Sequence, residues 1–70
     1  MTDSERTRMK KIDRLADRIE IAEINLDILL WLMEETSNMI EKYKYKVRYN
    51  KLVIYKDKLE NELTELLTNG

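Results

Sequence analysis

Residues 24–33 read Ile24-Asn25-Leu26-Asp27-Ile28-Leu29-Leu30-Trp31-Leu32-Met33, with eight apolar side chains in ten positions. Wound as a helix at about 100° per residue, such a run leaves hardly any side of the cylinder for water. The excess has to be covered by the rest of the chain, by a second copy or by another protein. A sheet is the weaker reading. The 70 residues include no Pro and a single Gly at the final position, so the turns a sheet requires lack their usual residues. With 43% apolar and 39% charged residues, the composition is that of long helices or a coiled coil.

The apolar spacing on either side of this run agrees. Ile12, Leu15, Ile19, Ala22, Leu26, Leu29 and Met33 alternate by three and four, a coiled-coil-like stripe. Thr2-Asp3-Ser4-Glu5 has the spacing of a capping box, which places a first helix over about 3–35. Thr36-Ser37-Asn38 then interrupts the stripe with three residues whose side chains bond to nearby backbone in turns and caps. Asn38-Met39-Ile40-Glu41 repeats the capping-box spacing, so a second helix is expected over about 39–67, with Asn69-Gly70 available to close it. The chain therefore reads as one domain, 1–70, an all-α antiparallel helical hairpin with its turn near residues 36–38. A single helix of about 65 residues, paired antiparallel with a second copy, would bring the same segments together. The three turn-formers at the centre of the stripe favour the hairpin.

Charge patterning supports folding back. Residues 19–36 hold five acids (Glu20, Glu23, Asp27, Glu34, Glu35) and no base. Residues 42–58 hold seven bases (Lys42, Lys44, Lys46, Arg48, Lys51, Lys56, Lys58) and one acid. A fold at residue 37 sets these blocks opposite each other. Each exposed pair contributes at most about 1 kcal/mol, so the blocks are expected to select orientation more than to stabilise it.

Both helices carry more apolar surface than a hairpin needs. In the first, Ile21, Ile24, Ile28, Trp31 and Leu32 fall across the axis from the main stripe. In the second, Tyr45, Leu52, Leu59, Leu63 and Leu66 form one seam, and Ile40, Tyr43, Val47 and Ile54 another. Folding at residue 37 sets residue i beside residue 74 − i, so both spare seams occupy the half of the hairpin nearest the turn. Nine apolar side chains exceed what a soluble monomer commonly leaves open. Burying half of such a patch, several hundred Å² at about 25 cal/mol per Å², is worth several kcal/mol, comparable with the whole stability of a domain this small. An isologous homodimer, two hairpins forming a four-helix bundle, is the expected assembly. Trp31 is then either part of the dimer core or the anchor of an interface with a different protein.

The residues that carry chemistry are scarce. With no Cys and no His, disulfides, zinc sites and thiol or imidazole catalysis are excluded. Ser4 and Ser37 are the only serines and neither has an evident base, so no catalytic residue and no cofactor is expected. Glu20, Glu23, Asp27 and Glu34 are oxygen donors of the kind Mg²⁺ or Ca²⁺ takes. Carboxylates at helical spacing more often form a solvated or salt-bridged face, and no metal is expected. The segment Lys42 to Lys51 interleaves bases with aromatics, a texture that grips phosphates and stacks bases, with Lys44, Arg48 and Lys51 as candidate contacts. Alternate residues on a helix lie about 200° apart, so these bases encircle the axis, and pairing with the acids of the first helix is the competing explanation. Asn50 and Asn61 fall on the apolar seam of Val47 and Ile54, where a buried Asn would fix register.

A net charge of −1 argues against a generally basic nucleic-acid binder. The run at 24–33 is too short to span a bilayer and contains Asp27. Residues 1–18 carry six bases and no apolar run, so no signal peptide is visible and a cytoplasmic setting is expected. The functional expectation is a small non-enzymatic protein-protein interaction module, a regulator or inhibitor of a larger protein. The alternative is a helical dimer that binds nucleic acid through the 42–51 segment.

Overall fold

The structure, a computed structural model, describes residues 3–68. Two helices, α1 (Asp3–Glu35) and α2 (Met39–Thr68), pack against each other as an antiparallel hairpin. Its extents are 55 × 15 × 12 Å. A helix of 33 residues rises about 50 Å, so the molecule is one helix long and two helices across. Within the single chain the helix is interrupted, because Thr36, Ser37 and Asn38 leave helical geometry.

The side chains around the turn account for that break. The Thr36 N–H still donates to the Leu32 carbonyl at 3.0 Å, completing the last turn of α1. Asn38 is the N-cap of α2: its Oδ1 accepts from the backbone N–H groups of Ile40 at 2.9 Å and Glu41 at 3.2 Å. The reciprocal half of a capping box is absent. The Glu41 carboxylate accepts from the Thr36 hydroxyl at 3.2 Å instead, tying the end of α1 to the first turn of α2. That carboxylate also lies near the positive end of the α2 dipole. Thr2, Asn69 and Gly70, which the sequence assigns to the outer caps, lie outside the described residues.

At the opposite end, Arg8 of α1 donates through Nε and Nη2 to the Leu66 carbonyl, with Nε at 3.1 Å. This carbonyl belongs to the last turn of α2, where intrahelical partners run out and where α2 has no base of its own. A cation there also meets the negative end of the helix dipole. The Arg8 contact falls on the 74 − i register. The ion pair between Lys56 and Glu23 lies five residues from it, about 7.5 Å along the axis and within reach of two long side chains.

The core is a single seam. Leu15, Ala22, Leu26 and Leu59 are buried, and Ile12, Ile19, Leu29, Met33, Tyr45, Leu52, Leu63 and Leu66 are half-buried along the same contact. These are the residues of the two main stripes. No polar or charged side chain is buried among the described residues, and none has an unsatisfied buried polar atom. Asn50 and Asn61 are exposed, so neither is a buried register device within the hairpin.

Candidate protein-binding surface

Residues seven apart on packed helices share a side, and this divides the spare apolar surface. On α1, Ile24 and Trp31 point directly away from α2 and are 52% and 59% exposed. Ile21 and Ile28, one position round, border the crevice between the helices and are also exposed. Leu32 lies at the edge of the main seam and is half-buried, as is Val47 on α2. Ile40, Tyr43 and Ile54 are exposed on α2. Seven of the nine predicted seam residues are therefore open to solvent in one hairpin, and they do not form one continuous patch. The α1 set faces outward and to one flank, while none of the α2 set lines the crevice that Ile21 and Ile28 border.

That crevice is the most distinctive surface feature. It is an open trough of about 520 Å³, walled by Asn25, Ile28 and Leu29 of α1 and by Arg48, Lys51, Leu52 and Tyr55 of α2. A smaller pocket of about 110 Å³ continues past Ile21 and Ala22 to Arg18, again against Leu52 and Tyr55. Tyr55 was not singled out by its spacing, although it lies seven residues beyond Arg48 and so on the same side. Met39 at 81% exposure and Leu30 are further apolar side chains left open near the turn.

The basic segment is partly resolved by the same geometry. Lys44, Arg48 and Lys51 are all exposed. Arg48 and Lys51 share the trough, and Lys44 precedes Lys51 by one heptad. The bases therefore do not simply encircle α2; three of them belong to one side. Nor do the opposed charge blocks neutralise each other. Among the described residues, Lys56 alone of the seven bases between 42 and 58 lies within ion-pair distance of a carboxylate, Glu23 at 3.3 Å and Glu60 at 3.2 Å. The reason is rotational. Glu20, Asp27 and Glu34 repeat every seven residues on the outer side of α1, away from the trough, whereas Lys44 and Lys51 repeat on the trough side of α2.

Lys56 is held above its ordinary pKa of 10.5 by its hydrogen bond to Glu60, then by that to Glu23, with desolvation opposing. The carboxylates Glu20, Glu23, Asp27 and Glu34 do not converge, and no group of three potential metal ligands gathers among the described residues. A polar cleft of about 620 Å³ at the open end is lined by Arg8, Lys11, Glu62 and Glu65 among others, and Arg8 there is engaged with the Leu66 carbonyl. No helix of the described residues is long and apolar enough to cross a membrane. In comparisons with known proteins, no family, no curated protein and no solved structure matches the chain.

Proposed function

We propose that this hairpin is a non-enzymatic protein-protein interaction module of the cytoplasm, which pairs with a second copy in a four-helix bundle and regulates or inhibits a larger protein. The observation that carries this reading is the imbalance between four buried apolar side chains and the twelve large ones left exposed, ten of them between Ile21 and Tyr55. A surface of that kind is stabilised by association. Within it the two roles divide by side of the helix. Ile24 and Trp31, facing away from α2, suit an isologous contact between copies, and the flank with Ile21 and Ile28 is left for a different protein.

Sedimentation equilibrium of the wild type and of Trp31→Ala tests the first role. The wild type is expected to be a dimer at micromolar concentration with blue-shifted indole emission, and Trp31→Ala to weaken dimerisation at least tenfold at unchanged helix content. A wild-type chain that remains monomeric, with its indole emitting as in water, defeats the self-association reading. A second reading, nucleic-acid binding, draws on the unpaired bases Lys44, Arg48 and Lys51. It requires binding that falls steeply with salt and is abolished when all three are neutralised.

A further inference from the structure

The trough between α1 and α2 has a composition that narrows what fits it. Its floor is apolar, with half-buried Leu29 from one helix and Leu52 from the other, and exposed Tyr55 adds apolar surface to the α2 wall. One rim carries Arg48 and Lys51, and Arg18 stands at the far end. None of these three cations has a carboxylate within ion-pair distance among the described residues. Glu20, Asp27 and Glu34, three of the acids that balance the net charge, repeat on the outer side of α1, away from the trough. From Arg18 to Leu29 the trough runs about 17 Å, three turns of a helix. Two packed helices leave between them the groove into which the ridge of a third fits.

We propose that this trough receives a three-turn amphipathic helix of another protein, with its apolar side over Leu52 and Tyr55 and carboxylates on its flank meeting Arg48 and Lys51. The inference rests on the interaction-module reading above and names the chemistry of the partner. An acidic flank is needed because a neutral or basic helix would desolvate two guanidinium or ammonium groups with nothing to replace their water. An apolar ridge is needed because Leu29 and Leu52 make the floor apolar, and a phosphate chain would leave them uncovered. A second copy does present acids beside Ile24 and Trp31. However, that face and the trough are different surfaces of the chain, so self-docking there would run head to tail, into a ring or an open filament.

The test uses the full chain, ¹⁵N-labelled, and two synthetic helices with Leu at positions i, i+3 and i+7, one flanked by Glu and the other by Lys. The Glu helix is expected to shift resonances of Asn25, Ile28, Leu52 and Tyr55, and the Lys helix to bind at least tenfold more weakly. In Arg48→Glu with Lys51→Glu, both exposed positions, the preference should reverse, and binding of the Lys helix then shows that the variant is folded. Equal binding of the two helices, binding of neither, or shifts centred on Ile40, Tyr43 and Ile54 would overturn the proposal. So would displacement of the Glu helix by a DNA oligonucleotide, or open-ended growth in mass of the free protein that the Glu helix blocks. Sedimentation of the same samples separates this inference from the reading beneath it. A monomer that binds the Glu helix keeps the trough and loses the dimer, and a dimer that ignores it does the reverse.

Discussion

Lys56 is the one base of its block whose side chain bridges the two helices, and its surroundings fix how the hairpin responds to alkali. Its side chain is about a quarter exposed, and its ammonium lies 3.2 Å from Glu60 on its own helix and 3.3 Å from Glu23 on the other. Both hydrogen bonds favour the charged form, so the folded pKa lies above the ordinary 10.5. A group with its pKa raised on folding contributes stability that is complete below the unfolded value and is lost as pH rises through the folded one. The difference in thermal midpoint between the wild type and Lys56→Met should therefore stay constant from about pH 7 to about pH 10 and shrink above that. Circular-dichroism melts measure it, and tyrosine ionisation is common to both proteins. A difference that persists unchanged into strong alkali would show that Lys56 acts through its aliphatic stem alone. The sequence made the opposed blocks of charge visible but not this selection. Block composition fixes height along the hairpin, and the choice of partner depends on rotation about each axis. The Arg8 contact was hidden more deeply, because its acceptor is a backbone carbonyl and every residue has one.

At the level of elements, α1 and α2 are separated by a turn whose residues announce themselves. Thr36, Ser37 and Asn38 are poor in a helix interior because each offers the backbone a local hydrogen bond, and Asn38 makes two as the cap of α2. Asn38→Ala removes the one oxygen that accepts both bonds and should cost about 1 kcal/mol, whereas Asn38→Gly should cost a few tenths. For a domain of this size that is a fall in thermal midpoint of roughly 4–8 °C for Ala. Equal losses for the two substitutions would point to packing of the Asn38 side chain, not to capping. The main seams were equally legible, since Leu15, Ala22, Leu26 and Leu59 follow from three-four spacing alone. The division of the spare seam was not. Periodicity sorts residues into near and far sides of one helix, but the flank on which the neighbouring helix closes a trough is a property of the pair. For that reason Tyr55 escaped notice, while Ile21 and Trp31 were grouped although only the first borders the trough.

The whole molecule exposes 5839 Å² for 8.5 kDa, against about 4,700 Å² for a compact monomer of that mass. The excess follows from two antiparallel helices with one seam between them, since each has only one neighbour to cover it. An arrangement that supplies a second neighbour, such as a bundle of hairpins, should be stabilising, whereas exchange of α2 between copies with the turn straightened keeps each helix at one. The hairpin and the exchanged dimer share the main seams and the register about residue 37, so they differ chiefly in the conformation of three residues. Replacing these together, Thr36→Ala, Ser37→Ala and Asn38→Ala, removes the cap and the Thr36–Glu41 tie and installs the best helix former at each position. The expected product is an exchanged dimer built on continuous helices about 100 Å long, close to twice the hairpin's 55 Å. Small-angle scattering reads the maximum dimension, and sedimentation supplies the mass. If the triple variant keeps the length of the wild type at equal mass, packing between α1 and α2 folds the chain back without help from its turn. The fold would then be encoded in the seam that Leu15, Ala22, Leu26 and Leu59 share.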